Sequence, residues 1–171
     1  MATLVLTVLG DDRPGLVSAV SAAVVGHGGS WERSEMARLA GKFAGIVLVS
    51  APDDRVEELR GALGALAADG LVVTVEGTSH AEDDAASRLR LHLLGADRPG
   101  IVAEISRAAA ARHIGIEELR TALVEAPMAG GTLFELDAVL VSPAGADVEE
   151  FRGALEALGA ELMVDVDLGE H

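Results

Sequence analysis

The feature that most constrains this chain is an internal repeat. Residues 4–17 read LVLTVLGDDRPGLV and residues 89–102 read LRLHLLGADRPGIV, so both contain Leu-Gly-x-Asp-Arg-Pro-Gly. A second match follows in the same order, RGALGAL at residues 60–66 and RGALEAL at residues 152–158. Two ordered matches indicate a duplicated structural unit. The offset between copies grows by seven residues, which predicts an insertion in the second copy around residues 127–131.

The repeat predicts two domains of similar size joined by a short linker. A length of 171 residues suits one ordinary domain or two small ones. Residues 77–87 are small, polar and acidic, and we expect a first domain at 1–77, a linker at 78–87 and a second domain at 88–171. Glu82, Asp83 and Asp84 are interpreted as part of a solvated linker, with a cation site as the alternative.

The first copy shows a strand–helix–strand–strand–helix–strand pattern. An apolar run at residues 3–9 predicts a buried strand, and Pro14 suits the first turn of a helix. Strands are expected at 30–39 and 43–50, around an Ala40-Gly41-Lys42 hairpin turn. Apolar residues at helical spacing predict a second helix from Val56, capped by Asp53 or Asp54, before a last strand at 71–76.

The second copy repeats this order. Strands are expected at residues 89–94, 116–124, 133–141 and 162–168, with helices from Ile101 and from Val148. Apolar and charged residues alternate along its strands, so one sheet face is expected to meet the helices and the other to meet water. The sequence therefore predicts an α+β protein of two tandem ferredoxin-like βαββαβ domains, with antiparallel sheets and helices on one face.

The repeated Asp-Arg-Pro-Gly segment lies between a strand and a helix start in both copies. A helix start exposes unpaired N–H groups and a partial positive charge, which favour a carboxylate or phosphate. Arg13 or Arg98 could then pair with a carboxylate, and Asp12 or Asp97 with an ammonium group. Two simpler interpretations remain, in which Pro-Gly only starts the helix with Asp as its cap, or Arg and Asp pair with each other.

A βαββαβ unit carrying Asp-Arg-Pro-Gly-[Leu/Ile]-Val after its first strand resembles an ACT domain. Two such units without an attached enzyme resemble the glycine cleavage system transcriptional repressor family. The resemblance implies binding of a small ligand, usually an amino acid, between neighbouring domains, through the loop and helix start of one and the second-strand start of the other. The ligand-binding residues it implies are Asp12, Arg13, Gly15, Leu16, Gly29, Ser30, Asp97, Arg98, Gly100, Ile101, Gly115 and Ile116.

The second-strand starts depart from the family pattern, because many relatives have Asn where Ser30 and Ile116 stand here. Ser30 keeps a hydroxyl group, whereas Ile116 has no polar group. The resemblance thus implies a non-catalytic regulator that binds a small amino acid such as glycine and acts through a protein partner, for which control of glycine cleavage system transcription is the expected process. The alternative is a structural or protein-interaction ACT module that retains no ligand binding.

Composition excludes several other functions. Thirteen Lys and Arg against 28 Asp and Glu give a net charge of −15, which disfavours direct nucleic-acid binding and anionic membranes. No cysteine is present, and no catalytic triad signature or P-loop is visible, so neither an enzyme nor a cofactor or metal site is expected. His27 and His113 are interpreted as residues at helix ends.

Location and assembly are expected from weaker signals. No basic leader and no apolar run of about 18–20 residues is visible, so the expected location is the cytoplasm. Exposed edge strands favour a homodimer. Trp31, Met36 and Met128 are candidate partner contacts, with core packing as the simpler interpretation for Trp31 and Met36.

Overall fold

A computed structural model describes residues 1–79, 87–126, 131–162 and 164–170. The chain divides into two compact units, Met1–Ala81 and Glu82–His171. The acidic segment Glu82-Asp83-Asp84, Met128 and most of the predicted insertion at 127–131 lie outside the described residues. No helix of the described residues is long and apolar enough to cross a membrane.

The first unit is a four-stranded antiparallel sheet with two helices. Its elements are β1 (Ala2–Asp11), α1 (Leu16–Gly26), β2 (Ser30–Leu39), β3 (Lys42–Ala51), α2 (Val56–Ala65) and β4 (Leu71–Gly77). The strands lie side by side in the order β2-β3-β1-β4. Leu39 pairs with Lys42 across a two-residue turn in which Ala40 and Gly41 both have positive φ, as a type I′ hairpin requires.

The second unit has the elements β5 (Ser87–Ala96), α3 (Ile101–Ala110), β6 (Gly115–Glu125), β7 (Thr132–Ser142), α4 (Val148–Leu162) and β8 (Val164–Glu170). Its topology is the same, with strand order β6-β7-β5-β8. The predicted fold class, two tandem ferredoxin-like βαββαβ units, is therefore confirmed.

Each unit has its own apolar core between the sheet and its helices. Leu4, Leu6 and Val8 alternate along β1 as core residues, and Leu89, Leu91 and Leu93 do the same along β5. The helices contribute buried residues at the spacing of one helical face. The outer faces of the two helix layers and the open faces of the two sheets are thereby left for other contacts.

The arginine of the second repeat match makes the same contact in each unit. Arg60 on α2 donates a hydrogen bond to the carbonyl oxygen of Val75 on β4. Arg152 on α4 donates to the carbonyl oxygen of Leu168 on β8, at 2.7 Å from Nη1. The repeated arginine therefore connects the second helix to the last strand by a hydrogen bond in both units.

The open sheet faces of the two units differ. In the first unit the outward side chains of the central strands include Val5, Leu9 and Ile46, and Leu9 and Ile46 are more than half exposed. In the second unit the corresponding face carries Arg90 and His92, which confirms the predicted charged face. The sheets thus share a core-facing pattern but not an outward-facing one.

The helix starts differ from the sequence expectation. Gly15 and Gly100 are the N-cap residues of α1 and α3, so Pro14 precedes the helix instead of lying in its first turn. Among the described contacts, no aspartate side chain caps α1, and none caps α2, since Asp53 instead accepts a hydrogen bond from the Met1 amino group at 2.7 Å.

The second half also contains two departures at the ends of its last helix. Leu162 belongs to α4, although the last strand was expected to begin there. At the other end, the Asp147 carboxylate accepts a hydrogen bond from the backbone N–H of Glu150 at 2.8 Å, which is an N-cap contact that the sequence analysis missed.

Candidate functional site

The first candidate loop joins β1 to α1 through a glycine that needs its left-handed conformation. Gly15 has φ +95° and ψ −4°, a region that L-amino acids with side chains adopt at a cost. A Cβ added there would meet no described atom within 4 Å, so the space outside the helix start is open. The unpaired N–H groups of the first helical turn are thus accessible to an anionic group.

The side chains of this loop are held by the hairpin and by a turn of the same unit. Asp12 donates its backbone N–H to the Gly41 carbonyl at 2.9 Å and accepts a hydrogen bond from Arg38 Nη1 at 3.2 Å. Arg13 Nη2 donates to the Asp69 carbonyl oxygen at 2.8 Å. Within the described residues, Arg13 and Asp12 therefore do not pair with each other.

Asp11, next to the loop, forms an ion pair with Lys42 at the start of β3. The hydrogen bond and positive charge of Lys42 lower the pKa of Asp11 below its ordinary value of 3.8. Both side chains are well exposed, so the pair contributes little to stability. It does bring a cation and two carboxylates, Asp11 and Asp12, to the same end of the sheet.

The second candidate loop has the same backbone but a different arginine contact. Gly100 has φ +99°, and Arg98 Nη2 donates to Glu104 Oε2 on α3 at 2.7 Å. Across the described part of the chain, Asp97 has no hydrogen-bond or ion-pair partner. A surface depression of about 490 Å³ lies beside this loop, lined by Arg98, Gly100, Ile101, Val102, Ala103 and Phe134.

Two of the predicted site residues belong to the cores. Leu16 is 3% exposed and Ile101 is 2% exposed, and both pack among the buried residues of their unit. Their backbone N–H groups lie at the helix starts. A ligand at either helix start would therefore meet only the backbone of these residues, while Ile101 also borders the depression.

The predicted second-strand residues lie far from the loop of their own unit. Ser30 pairs with Ser50 near one end of the first sheet, whereas Asp11 pairs with Lys42 at the other. Eight residues of β3 separate those positions, which corresponds to about 26 Å. Gly115, opposite Val141, and Ile116 are separated from the second loop in the same way. A single unit therefore does not bring both parts of the predicted site together.

Packing explains one of these residues without a ligand. A Cβ on Gly29 would lie 2.9 Å from the Ser50 carbonyl oxygen and 3.0 Å from the Val24 carbonyl oxygen. Glycine is therefore required there by the close approach of β3 and α1. Ser30 is exposed, and Ile116 exposes 39% of its surface as an apolar side chain.

The other residues singled out in the sequence have local roles. His27 lies at the C-terminal end of α1, where its Nδ1 is 2.7 Å from the Ala23 carbonyl oxygen. Trp31 and Met36 are half-buried and pack against the first core, which supports the simpler interpretation of both. His80 and His171 lie outside the described residues.

One group was missed by the sequence analysis. His92, Glu135 and Asp137 lie together on the open face of the second sheet. The sequence of the second copy shows charged residues alternating along β5 and β7, but only the strand register places His92 and Asp137 side by side.

Comparison with known proteins identifies the family of the first unit. Residues 2–78 match the model of the ACT domain family. The glycine cleavage system transcriptional repressor of Escherichia coli strain K12 is 28% identical over 161 residues, which cover 93% of this chain and 85% of that protein.

Solved structures match both units at once. The crystal structure of an unknown protein from Galdieria sulphuraria is 34% identical and has a TM-score of 0.88, covering 99% of this chain and 98% of its own. The crystal structure of a protein provisionally named a glycine cleavage system transcriptional repressor is 20% identical, with a TM-score of 0.74 and coverage of 99% and 97%. The second of these matches bears on the fold alone.

The family match, the shared topology and the repeated loop lead to one assignment. Residues 2–78 form an ACT domain. The second unit repeats its element order, its strand order and its left-handed glycine at the first helix. The chain therefore consists of a first unit that matches the ACT domain family and a second unit with the same fold, and its sequence is similar to that of the glycine cleavage system transcriptional repressor.

Proposed function

We propose that this chain is a non-catalytic regulator that binds a small amino acid such as glycine and acts through a protein partner, with glycine cleavage system transcription as the process regulated. The observation that carries the proposal is the relationship to a transcriptional repressor over 93% of the chain. The helix starts offer the N–H groups that such a sensor needs; the start at Gly15 is open, whereas Glu104 Oε1 lies 3.6 Å from a Cβ built on Gly100.

The proposed ligand is recognised by its two charges. Its carboxylate binds the N–H groups at a helix start, where the helix dipole is favourable by about 0.3–2 kcal/mol. Its ammonium group faces Asp97, which has no partner among the described residues, or Asp12. Because the second-strand residues lie at the opposite end of each sheet, a neighbouring ACT unit completes the site.

The size of the ligand sets the expected affinity. The best small ligands gain about 1.5 kcal/mol per heavy atom, so a five-atom glycine reaches roughly 7.5 kcal/mol. That free energy corresponds to a dissociation constant in the low micromolar range at best. We therefore expect sensing between micromolar and millimolar concentrations.

The net charge supports action through another protein. The cytoplasm is the proposed location of this chain. A net charge of −15 opposes contact with the DNA phosphates, so regulation of transcription requires a protein intermediary. The edge strands β2 and β6 of the two sheets have one neighbour each, which suits association into a homodimer.

A second candidate function is an ACT module that mediates protein contacts without a ligand. Two observations favour it. Arg98 is already engaged by Glu104 at 2.7 Å, and Ile116 offers no polar group at the second-strand start. Binding experiments separate the two candidates.

The test is a thermal-shift screen of the full chain against all amino acids at about 10 mM, since a ligand well above its dissociation constant stabilises by about 2 kcal/mol. We expect a saturable shift, largest for glycine or another small amino acid, that Gly15→Val or Gly100→Val reduces. Gly145→Val is the matched control, because Gly145, like Gly15, has positive φ (+83°) and no described atom within 4 Å of an added Cβ. Gly145 lies in the loop after β7, at the end of the second sheet opposite to the Gly100 loop.

Each result has a definite meaning. A shift retained by Gly145→Val and reduced by Gly15→Val or Gly100→Val supports the sensor. A shift that both loop variants leave unchanged contradicts the assignment of the site. No shift with any amino acid contradicts the sensor and favours the protein-interaction module.

A further inference from the structure

Three side chains of types that can bind a metal ion lie together on the open face of the second sheet. His92 on β5 stands directly opposite Asp137 on β7. Glu135 is two residues before Asp137 and therefore projects from the same face of the strand. One donor atom from each of the three side chains lies within 4.8 Å of the others.

We propose that His92, Glu135 and Asp137 bind a divalent first-row transition metal ion, for which Zn²⁺ is the best match. Zn²⁺ is bound in proteins by imidazole nitrogen and carboxylate oxygen, and both ligand types are present here. Two carboxylates neutralise the charge of the ion. The imidazole favours Zn²⁺ over Mg²⁺ and Ca²⁺, which take oxygen ligands.

The distance between two of the donors is slightly shorter than the distance across a shared ion. His92 Nδ1 is 2.8 Å from Asp137 Oδ1. Two ligands with bonds of about 2.1 Å lie about 3.0 Å apart at a right angle and about 3.4 Å apart in a tetrahedron. A separation that is a few tenths of an ångström larger lets an ion replace the hydrogen bond between these atoms.

The surroundings favour a cation despite the nearby side chains of Arg90 and Arg120. A depression of about 560 Å³ borders His92 and Asp137 and leaves room for water in the remaining coordination positions. Asp167 on β8 lies opposite His92 on its other side. Arg120 on β6 lies opposite Asp137, and its Nη2 is 3.7 Å from Glu118 Oε2, a contact that reduces its competition for the Asp137 carboxylate.

The first unit provides an internal comparison. Its β1–β3 pairing places Thr7 opposite Ile46, at the positions that His92 and Asp137 occupy in β5 and β7. Ala44 is the residue that corresponds to Glu135. A neutral and partly apolar face is thus compatible with this sheet, so the ligand set of the second unit is not required by the fold.

Metal titration of the chelator-treated full chain tests the proposal. With Zn²⁺ as the titrant, calorimetry is expected to show one site per chain, and Mg²⁺ is expected to bind more weakly. His92→Gln and Asp137→Asn should each weaken Zn²⁺ binding at least about tenfold, the loss typical of even a residue that only supports a metal ligand. His113→Asn is the matched control, because His113 is exposed, has φ +57° and lies outside the cluster.

Two further measurements keep the test specific. His92 is 44% and Asp137 59% exposed in their side chains, so both variants should keep the wild-type circular dichroism spectrum. The ring nitrogen signals of His92 in an NMR spectrum should move on addition of Zn²⁺, and those of His113 should not. No saturable Zn²⁺ binding, or binding that His92→Gln and Asp137→Asn leave unchanged, would overturn the proposal.

Discussion

The two units have the same topology and nearly opposite outward surfaces. On the open face of the first sheet, Leu9 and Ile46 expose 52% and 56% of their surface. The second sheet presents Asp137 where the first has Ile46, and His92 where the first has Thr7. The core-facing residues of both sheets remain large and apolar. The fold is therefore specified by the inward pattern, and the outward positions are free to acquire different functions.

The two loops show the same division between shared backbone and divergent side-chain contacts. Gly15 and Gly100 have φ values of +95° and +99°. Arg13, however, reaches a carbonyl oxygen of the turn before β4, whereas Arg98 contacts Glu104 on its own helix. The loop geometry is thus a property of the repeat, while the charge presented to a ligand differs between units.

The largest effects are expected from the two cores. Phe151 on α4 and Leu59 on α2 occupy equivalent positions immediately before the second repeat match, and both are 0% exposed. Phe151→Ala should cost about 3–5 kcal/mol and Leu59→Ala about 2–5 kcal/mol, because each leaves a cavity. Urea denaturation followed by circular dichroism measures both. The fluorescence of Trp31, the single tryptophan, reports on the first unit.

The two cores would not be equivalent if one of these variants were strongly destabilised and the other were not. A cost below about 1 kcal/mol for either variant would mean that the site relaxes around the truncated side chain, against the large-to-small pattern. The conservative variants Phe151→Leu and Leu59→Met are the controls, with smaller costs of less than about 1.5 kcal/mol expected for the volume-conserving swap at Leu59.

Intermediate effects are expected at the loop glycines. Gly15→Ala and Gly100→Ala should each destabilise by about 1–2 kcal/mol, because φ is positive and ψ is near zero at both positions. The matched control is Gly61→Ala in α2, where an added Cβ meets no described atom within 4 Å and helix propensity favours alanine by about 0.5–1 kcal/mol.

The test is whether each variant is less or more stable than the wild-type protein. Thermal unfolding should place the two loop variants below the wild-type protein and Gly61→Ala above it. Equal costs at Gly15 and Gly100 would support a common backbone for the loops. A neutral Gly15→Ala or Gly100→Ala would show that the loop adopts another conformation in solution.

The smallest effect concerns a pair that only the first unit can form, since Ala96 stands where the first unit has Asp11. Lys42 lowers the pKa of Asp11, so the contribution of the pair is present above pH 3.8 and is lost as the pH falls through the lowered pKa. In Lys42→Met, the pKa of Asp11 should rise towards its ordinary value. Carboxyl-carbon NMR titration measures the change, and an unaltered pKa would contradict the pairing.

The duplicated sequence was sufficient to predict the fold. Strand β2 was expected at residues 30–39, where the structure places it, because glycine-containing turns border it on both sides. Most other strands extend one or two residues beyond the expected ends, since ladder pairing continues past the apolar run.

The details of the helix ends and of the site depended on tertiary contacts. Asp53 resembled a cap in sequence but pairs with the Met1 amino group, whereas Asp147 caps α4. Arg13 finds its partner 56 residues away at Asp69, which no local pattern indicates. Likewise, His92 and Asp137 come together only through the β5–β7 register.

The ligand-binding account is tested most directly by an NMR titration of the full chain with glycine, following the backbone amide signals of Gly15 and Gly100. The account predicts saturable shifts of at least one of these signals, with a midpoint between micromolar and millimolar glycine, and unmoved signals for Gly145. Unmoved Gly15 and Gly100 signals up to about 10 mM glycine, well above the low-micromolar limit set by ligand size, would contradict glycine sensing at these loops.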